Sequence, residues 1–267
     1  MNLYMVGVLF VIFSTVLSVA GMLFVRKRVG VKSLTKFHEV AGYLLSVIGT
    51  LYAVLLGFVV VDAMGKQEEL RMIVEHEASG VANIFLCSNG LPEPKRKKIQ
   101  STCYQYAVEV INDEWKCMER GTYSPKAFEQ AWILWKEITL LKTDNDDEQA
   151  IKERILEEMC NMTENRRTRL VAAKLGVAPI MWAVLLVGGV FTVLFTYFFG
   201  VDSLRAHVLM TVLVAMTLSL NVFLVFIFAN PIAGDIGILP DAFKQDILIF
   251  KNFESGRIDP NQELPAR

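Results

Sequence analysis

V-A-G-Y-L-L-S-V-I-G-T-L-Y-A-V-L-L-G-F-V-V-V (Val40–Val61) runs on without a proline into D-A-M-G-K-Q-E-E-L-R-M-I-V-E-H-E-A-S-G-V-A-N-I-F-L-C (Asp62–Cys87). The first half is apolar and the second is charged. The whole reads as one helix that spans a bilayer and then stands out in water. Its 48 residues would reach roughly 70 Å at roughly 1.5 Å per residue, against a bilayer core of about 30 Å. Small residues recur along the membrane half at Gly42, Ser46, Gly49, Ala53 and Gly57. Steps of four, three, four and four put them on one face, where a second backbone can approach closely or a narrow space can be lined.

Outward from this stretch, three further blocks lack charge almost completely: Leu3–Val25, Leu175–Val201 and Val208–Gly234. The chain is 53% hydrophobic, and concentrating that excess in four blocks is the pattern of an integral membrane protein. The first block is followed, not preceded, by Arg26-Lys27-Arg28. It therefore reads as an uncleaved span and not as a signal peptide. Between the second and third blocks the composition changes to mixed charge with helical spacing. Ser88-Asn89-Gly90-Leu91-Pro92 ends the long helix, because Gly and Asn suit a helix C-terminus and Pro cannot continue it. A helix is expected from Pro92–Glu93 to about Arg120, with Ile99, Cys103, Tyr106, Val110 and Met118 inward and Gly121 as its stop. Ser124-Pro125 opens another, with Phe128, Trp132, Trp135 and Ile138 on one stripe. After the break at Thr143–Asp147, a last helix runs from about Glu148 to Arg169 and is expected to feed into the third span.

The fold class is therefore all-α, with four transmembrane helices and a helical soluble domain inserted between the second and third. The expected boundaries are residues 1–61 for spans 1 and 2, 62–174 for the soluble domain, 175–234 for spans 3 and 4, and 235–267 for a tail. The apolar run Ile247–Phe250 in that tail suits either the membrane or the soluble helices, and Glu254–Arg267, with two prolines, reads as disordered. Arg26, Lys27, Arg28, Lys32 and Lys36 crowd the linker between spans 1 and 2 against one acid, Glu39. That count places the linker inside, with the N-terminus and soluble domain extracytoplasmic. Arg166, Arg167, Arg169 and Lys174, ahead of the third span, pull the other way.

No catalytic constellation stands out, and the chain reads as a non-enzyme with no cofactor. The cysteines, Cys87, Cys103, Cys117 and Cys160, form no CxxC pair and sit beside no His at ligand spacing, so zinc is a poor fit. Disulfides among them stay open. Glu75-His76-Glu77 reads as a solvated helix face, since neighbouring residues point about 100° apart. His38 and His207 read as interfacial. Lys95-Arg96-Lys97-Lys98 is a surface run, or an anion- or headgroup-attracting patch. Asn221, an amide within the fourth span, needs a partner inside the protein or a water path. Asp62, at the end of the second span, could join a charged ring at a pore mouth if copies assemble around an axis. A net charge of −1 does not suggest nucleic acid as a partner.

G-T-L-Y-A-V-L-L-G-F-V-V-V (Gly49–Val61), E-H-E-A (Glu75–Ala78), Glu114-Trp115, R-T-R-L (Arg167–Leu170), A-P-I-M-W (Ala178–Trp182) and N-P-I-A-G…L-P-D-A-F (Asn230–Phe243) resemble, in this order, the bestrophin-like family of bacterial membrane proteins. The resemblance implies a homo-oligomer, a pentamer, in the cell (inner) membrane. It also implies passage of small inorganic ions, a chloride-type preference, the second span around the pore, and a cytoplasmic soluble domain, opposite to the charge count. The expectation is an oligomeric ion channel with Ser46, Gly49, Ala53 and Gly57 facing or bordering the pore and Asp62 near its mouth. The alternative is a non-conducting sensor or scaffold whose soluble helices bind a partner.

Overall fold

The computed structural model describes residues 3–30, 38–232 and 237–255, all helix, turn or irregular chain among the described residues. Lys32 and Lys36, the side chain of His38, Ala233 and Gly234 of the quoted motif, and the tail after Ser255 lie outside them. The helices are α1 (Leu3–Val29), α2 (His38–Cys87), α3 (Lys95–Glu109), α4 (Trp115–Glu119), α5 (Pro125–Thr139), α6 (Asp146–Ala172), α7 (Pro179–Tyr197), α8 (Leu204–Phe228) and α9 (Asp241–Ser255). Four of them, α1, α2, α7 and α8, are long and apolar enough to cross a membrane. The protein is thus all-α and a multi-pass membrane protein, in contact with the lipid bilayer along these spans.

The chain divides into two compact units. The first holds Met1–Lys66 and Gly176–Ile236, the second Gln67–Leu175 and Gly237–Arg267. The 50-residue α2 passes through both without interruption.

In the first unit α1 packs along α8. Ser14 and Ser219 share a hydrogen bond of 2.6 Å, one of the few ways polar atoms join helices in hydrocarbon. Tyr52, Leu56, Val59 and Ala63 turn one stripe of α2 onto Val177, Leu185 and Val225. The Tyr52 hydroxyl donates to the Leu185 carbonyl at 2.9 Å. Gly188 makes this fit possible, because a Cβ there would lie 2.5 Å from the Tyr52 ring. Arg26 closes one end of the bundle by donating to the Val201 and Asp202 carbonyls at 2.6 and 2.9 Å. It also lies 3.3 Å from Nδ1 of His207, whose Nε2 is 2.9 Å from the Thr196 carbonyl. His207 is buried: its ring joins three chain segments at this end of the bundle. Arg205 belongs to the first turn of α8, which Ser203 caps.

The second unit is built by its helix ends. Cys87 passes into a single 3-10 turn, Ser88–Gly90. Gly121, at φ +72°, closes α4: the Thr122 and Gly121 amides donate back to the Cys117 and Met118 carbonyls. Ser124 and Asn145 cap α5 and α6 through side-chain oxygens that accept from Ala127 and Glu148 amides. The expected run of α6 into the third span does not occur. The helix stops at Ala172 and a new one begins at Pro179, since proline suits a first helical position and not an interior one.

Two further expectations change. Between α3 and α4 the chain makes one π-helical turn, Val110–Glu114. Inward residues 106, 110, 114 and 118 are spaced by four throughout, which drifts around an α-helix. A wider turn absorbs that drift and keeps them on the core. On α5 the buried positions are Ala127, Leu134 and Ile138, while Phe128 and Trp132 are 53% and 61% exposed. The aromatic stripe thus points largely outward.

Candidate pore-facing helix and buried charge cluster

Along the membrane half of α2, the tyrosine stripe and the small-residue stripe lie about one residue apart in helical phase. The tyrosine stripe is buried. Ser46, Ala53 and Gly57 are exposed and Gly42 and Gly49 half-buried. A Cβ placed at Gly49, Gly57 or Gly65 would meet no atom within 4 Å. From Gly49 to Gly57 the small-residue face therefore meets no packing partner among the described residues, while at Gly42 a Cβ would lie 3.9 Å from the Phe199 ring. Asp62 is exposed and pairs with Lys66 one turn later at 2.8 Å. Asn221 is half-buried and donates to the Thr217 carbonyl of its own helix at 2.9 Å. The structure thus brings Ser46, Gly49, Ala53 and Gly57 together on one free face of α2. It does not bring Asn221 to them.

The second unit encloses a charge cluster. Arg169 is completely buried. Its Nε donates to Glu77 at 2.6 Å and its Nη2 to the other oxygen of Glu77 at 2.8 Å. The same Nη2 reaches Glu114 at 2.6 Å. Arg166 takes the second oxygen of Glu114, and the Tyr106 hydroxyl donates to Glu77 at 2.6 Å. Trp115 lies under the Arg169 guanidinium, 5.3 Å from ring centre to Cζ, and donates its indole N–H to the Ile238 carbonyl. Phe243 of α9 packs edge-on against Tyr106 and Trp115. Two carboxylates and two guanidiniums close a neutral set, and the planar guanidinium fork meets Glu77 with two parallel bonds.

Burial pulls the Arg169 guanidinium down, and Glu77 and then Glu114 outweigh it and push it up, so it stays charged. Burial, with Glu77 and Glu114 beside it, pushes the Tyr106 hydroxyl well up, so it stays a donor. Glu77 is therefore not part of a solvated face. It has no exposure, whereas Glu75 and His76, pointing elsewhere on the helix, are exposed. All four cysteines are free thiols. Cys103 is fully buried, and burial first, then Glu137 and Asp246, raises its thiol further out of reach of ionisation. Among the described residues, no group of three or more His, Cys, Asp or Glu is arranged to hold a metal.

The segments that build this cluster are the ones quoted from the sequence. E-H-E-A supplies Glu77, the next pair supplies Glu114 and Trp115, R-T-R-L supplies Arg169, and L-P-D-A-F supplies Phe243. The bestrophin-like domain matches residues 12–243. The chain belongs to the bestrophin-like family. Its fold is that of a bacterial bestrophin homologue from Klebsiella pneumoniae. A point mutant of that protein aligns with TM-score 0.67 at 14% identity, over 90% of this chain and 98% of that one. The form phased on zinc aligns with TM-score 0.63 at 14% identity, over 93% and 99%. Among curated proteins, none matches the chain. Identity this low shows a shared fold and nothing finer. In this bestrophin-like protein, sequence reasoning found the motifs but missed that Glu77, Glu114 and Arg169 meet. The available signal was Glu77, a charge at inward helical phase between Ile73, Val74 and Val81.

Proposed function

We propose that this chain assembles into a homo-oligomeric ion channel, a pentamer in the cell (inner) membrane, with α2 around the pore axis and a preference for anions. The observation that carries the reading is the unpartnered small-residue face of α2. A helix whose Tyr52 stripe is satisfied by its own chain, and at whose Gly49 and Gly57 a side chain would meet nothing, is suited to border a water-filled axis in an oligomer. Ser46, Gly49, Ala53 and Gly57 face or border that axis. Asp62 sits near its mouth, and its charge is matched by Lys66, so the mouth does not present an uncompensated acidic ring. This removes the cation preference that an acidic ring would impose.

Purified protein in liposomes tests the reading. Chloride flux with a reversal potential on the anion side is expected, with Gly49→Leu reducing flux while leaving the oligomer intact. Absence of flux under every gradient, with Gly49→Leu altering only assembly, would replace it by the scaffold reading. The outward Phe128 and Trp132 would then be the natural partner-binding residues.

For orientation, we place the linker inside and the second unit extracytoplasmic. Arg166 and Arg169, two of the four cations opposing that arrangement, are spent in internal ion pairs. They add little to the free charge that the orientation rule counts. Cys160 is exposed and is the thiol to probe. A membrane-impermeant maleimide should label it in intact cells or spheroplasts. Labelling only after permeabilisation reverses the assignment.

A further inference from the structure

Pro94–Ile99, with the C-terminal half of α5 and the turn after it, borders a surface groove of about 830 Å³, within the roughly 300–1,000 Å³ of small-molecule sites. Its rim carries Lys95, Lys97, Lys98, Lys136 and Lys142, against one acid, Glu137. Its floor is aliphatic: Ile99, Ile133, Leu140 and Leu141.

The internal pairing decides which charges are available. Lys95 is committed to Asp144 and Glu148 at 2.6 and 2.8 Å. Lys97 shares Glu93 with Arg96. Glu137 is occupied by the Thr102 hydroxyl at 2.9 Å and by Lys98 at 3.6 Å. Lys136 and Lys142 have no ion pair among the described residues. Leu140, between them in sequence, is 67% exposed, an apolar surface left uncovered beside two unmatched ammonium groups.

We propose that this groove binds a single-chain amphipathic anion. Its carboxylate or phosphate head is held by Lys136 and Lys142, and its alkyl chain lies on Ile133, Leu140 and Leu141. Both halves are required by what is there. A bare inorganic anion would leave the aliphatic floor wet. A neutral lipid would leave the lysines unmatched. A nucleic-acid strand would find no aromatic side chain in the lining on which to stack a base.

The test uses the full chain in zwitterionic nanodiscs, with decanoate as probe and acetate and decanol as head-only and tail-only controls. Amine-reactive labelling of Lys136 and Lys142 is read by mass spectrometry against Lys116 and Lys251, which lie outside the groove. Decanoate is expected to slow labelling at Lys136 and Lys142 several-fold, with acetate and decanol leaving it unchanged. Leu140→Glu, at an exposed position, is expected to abolish the protection while leaving the elution profile of the protein as it was. Equal protection by acetate would overturn the proposal in favour of a simple anion patch. Protection of all four lysines together would assign the effect to decanoate in the bilayer. Protection that survives Leu140→Glu would remove the alkyl half.

Discussion

Arg169 holds its position by having every neighbour matched to it. Removing one partner of a buried ion pair leaves the other charged and dry, which costs about 3–5 kcal/mol. Arg169→Met and Glu77→Gln are each expected to lower stability on that scale in detergent unfolding. The double variant should fall less than the sum, because it leaves fewer orphaned charges. Single variants as stable as the parent would show that the cluster is dispensable. Asp246 makes a different prediction. It is buried on α9 with one carboxylate oxygen unpartnered. Burial first, then Glu75, raises it from 3.8 to about 8. The folded chain therefore favours its protonated form. The stability tied to that proton is complete below the unfolded value and is lost as pH climbs through about 8. Melting temperature should fall from about pH 4 to about pH 8 and then level off, and Asp246→Asn should flatten the decline. A parallel decline in both proteins would place its cause elsewhere.

Elements behave according to which face they hide. On α2 and α7, Gly188 admits the Tyr52 ring, so Gly188→Leu would overpack the contact at a cost of about 1–3 kcal/mol. Gly49→Leu, on the open face of the same helix, should leave the melting temperature of the isolated protomer nearly unchanged. The two substitutions separate intrachain packing from the proposed pore face; equal loss of stability in both would mean the open face is not free. At the end of α4, Gly121 sits where an L side chain is strained, and Gly121→Ala is expected to destabilise by about 1 kcal/mol. The C-terminal α9 is a core element despite its position near the end of the chain. Phe250 stacks on Phe85 at 4.1 Å, and Phe243 and Phe250 are both buried. Truncation before Asp241 is expected to expose Phe85 and Trp115 and to produce aggregated protein on size exclusion.

For the whole molecule, the exposed apolar surface of the spans is what lipid and neighbouring copies must cover. A cyclic oligomer seen by native mass spectrometry from the membrane, with cysteines introduced at Gly49 or Ala53 cross-linking between copies, is the expected result. A strictly monomeric protein would end the channel reading.

Much of this was legible in the residues themselves. Four uncharged blocks need no tertiary information to become spans, because hydrocarbon demands apolar side chains and a self-satisfied backbone over a fixed length. Ser124-Pro125 and Gly121 act within one turn of chain, so their capping and stopping roles are local properties. Three features were not local. The tail run Ile247–Phe250 could have met lipid or protein; only packing against Phe85 decided it. Phe128 and Trp132 have helical spacing like any core stripe, and nothing in periodicity tells which stripe the neighbouring helices cover. Glu77, Glu114 and Arg169 lie far apart in sequence, and a lone charge on a helix reads as solvated until its partner is seen. The sequence by itself determined the spans, the helices, their stops and the motifs of the family. Only the tertiary structure decided which charges pair in the dark and which stripe of α2 is buried, since both depend on what distant segments bring to the same point in space.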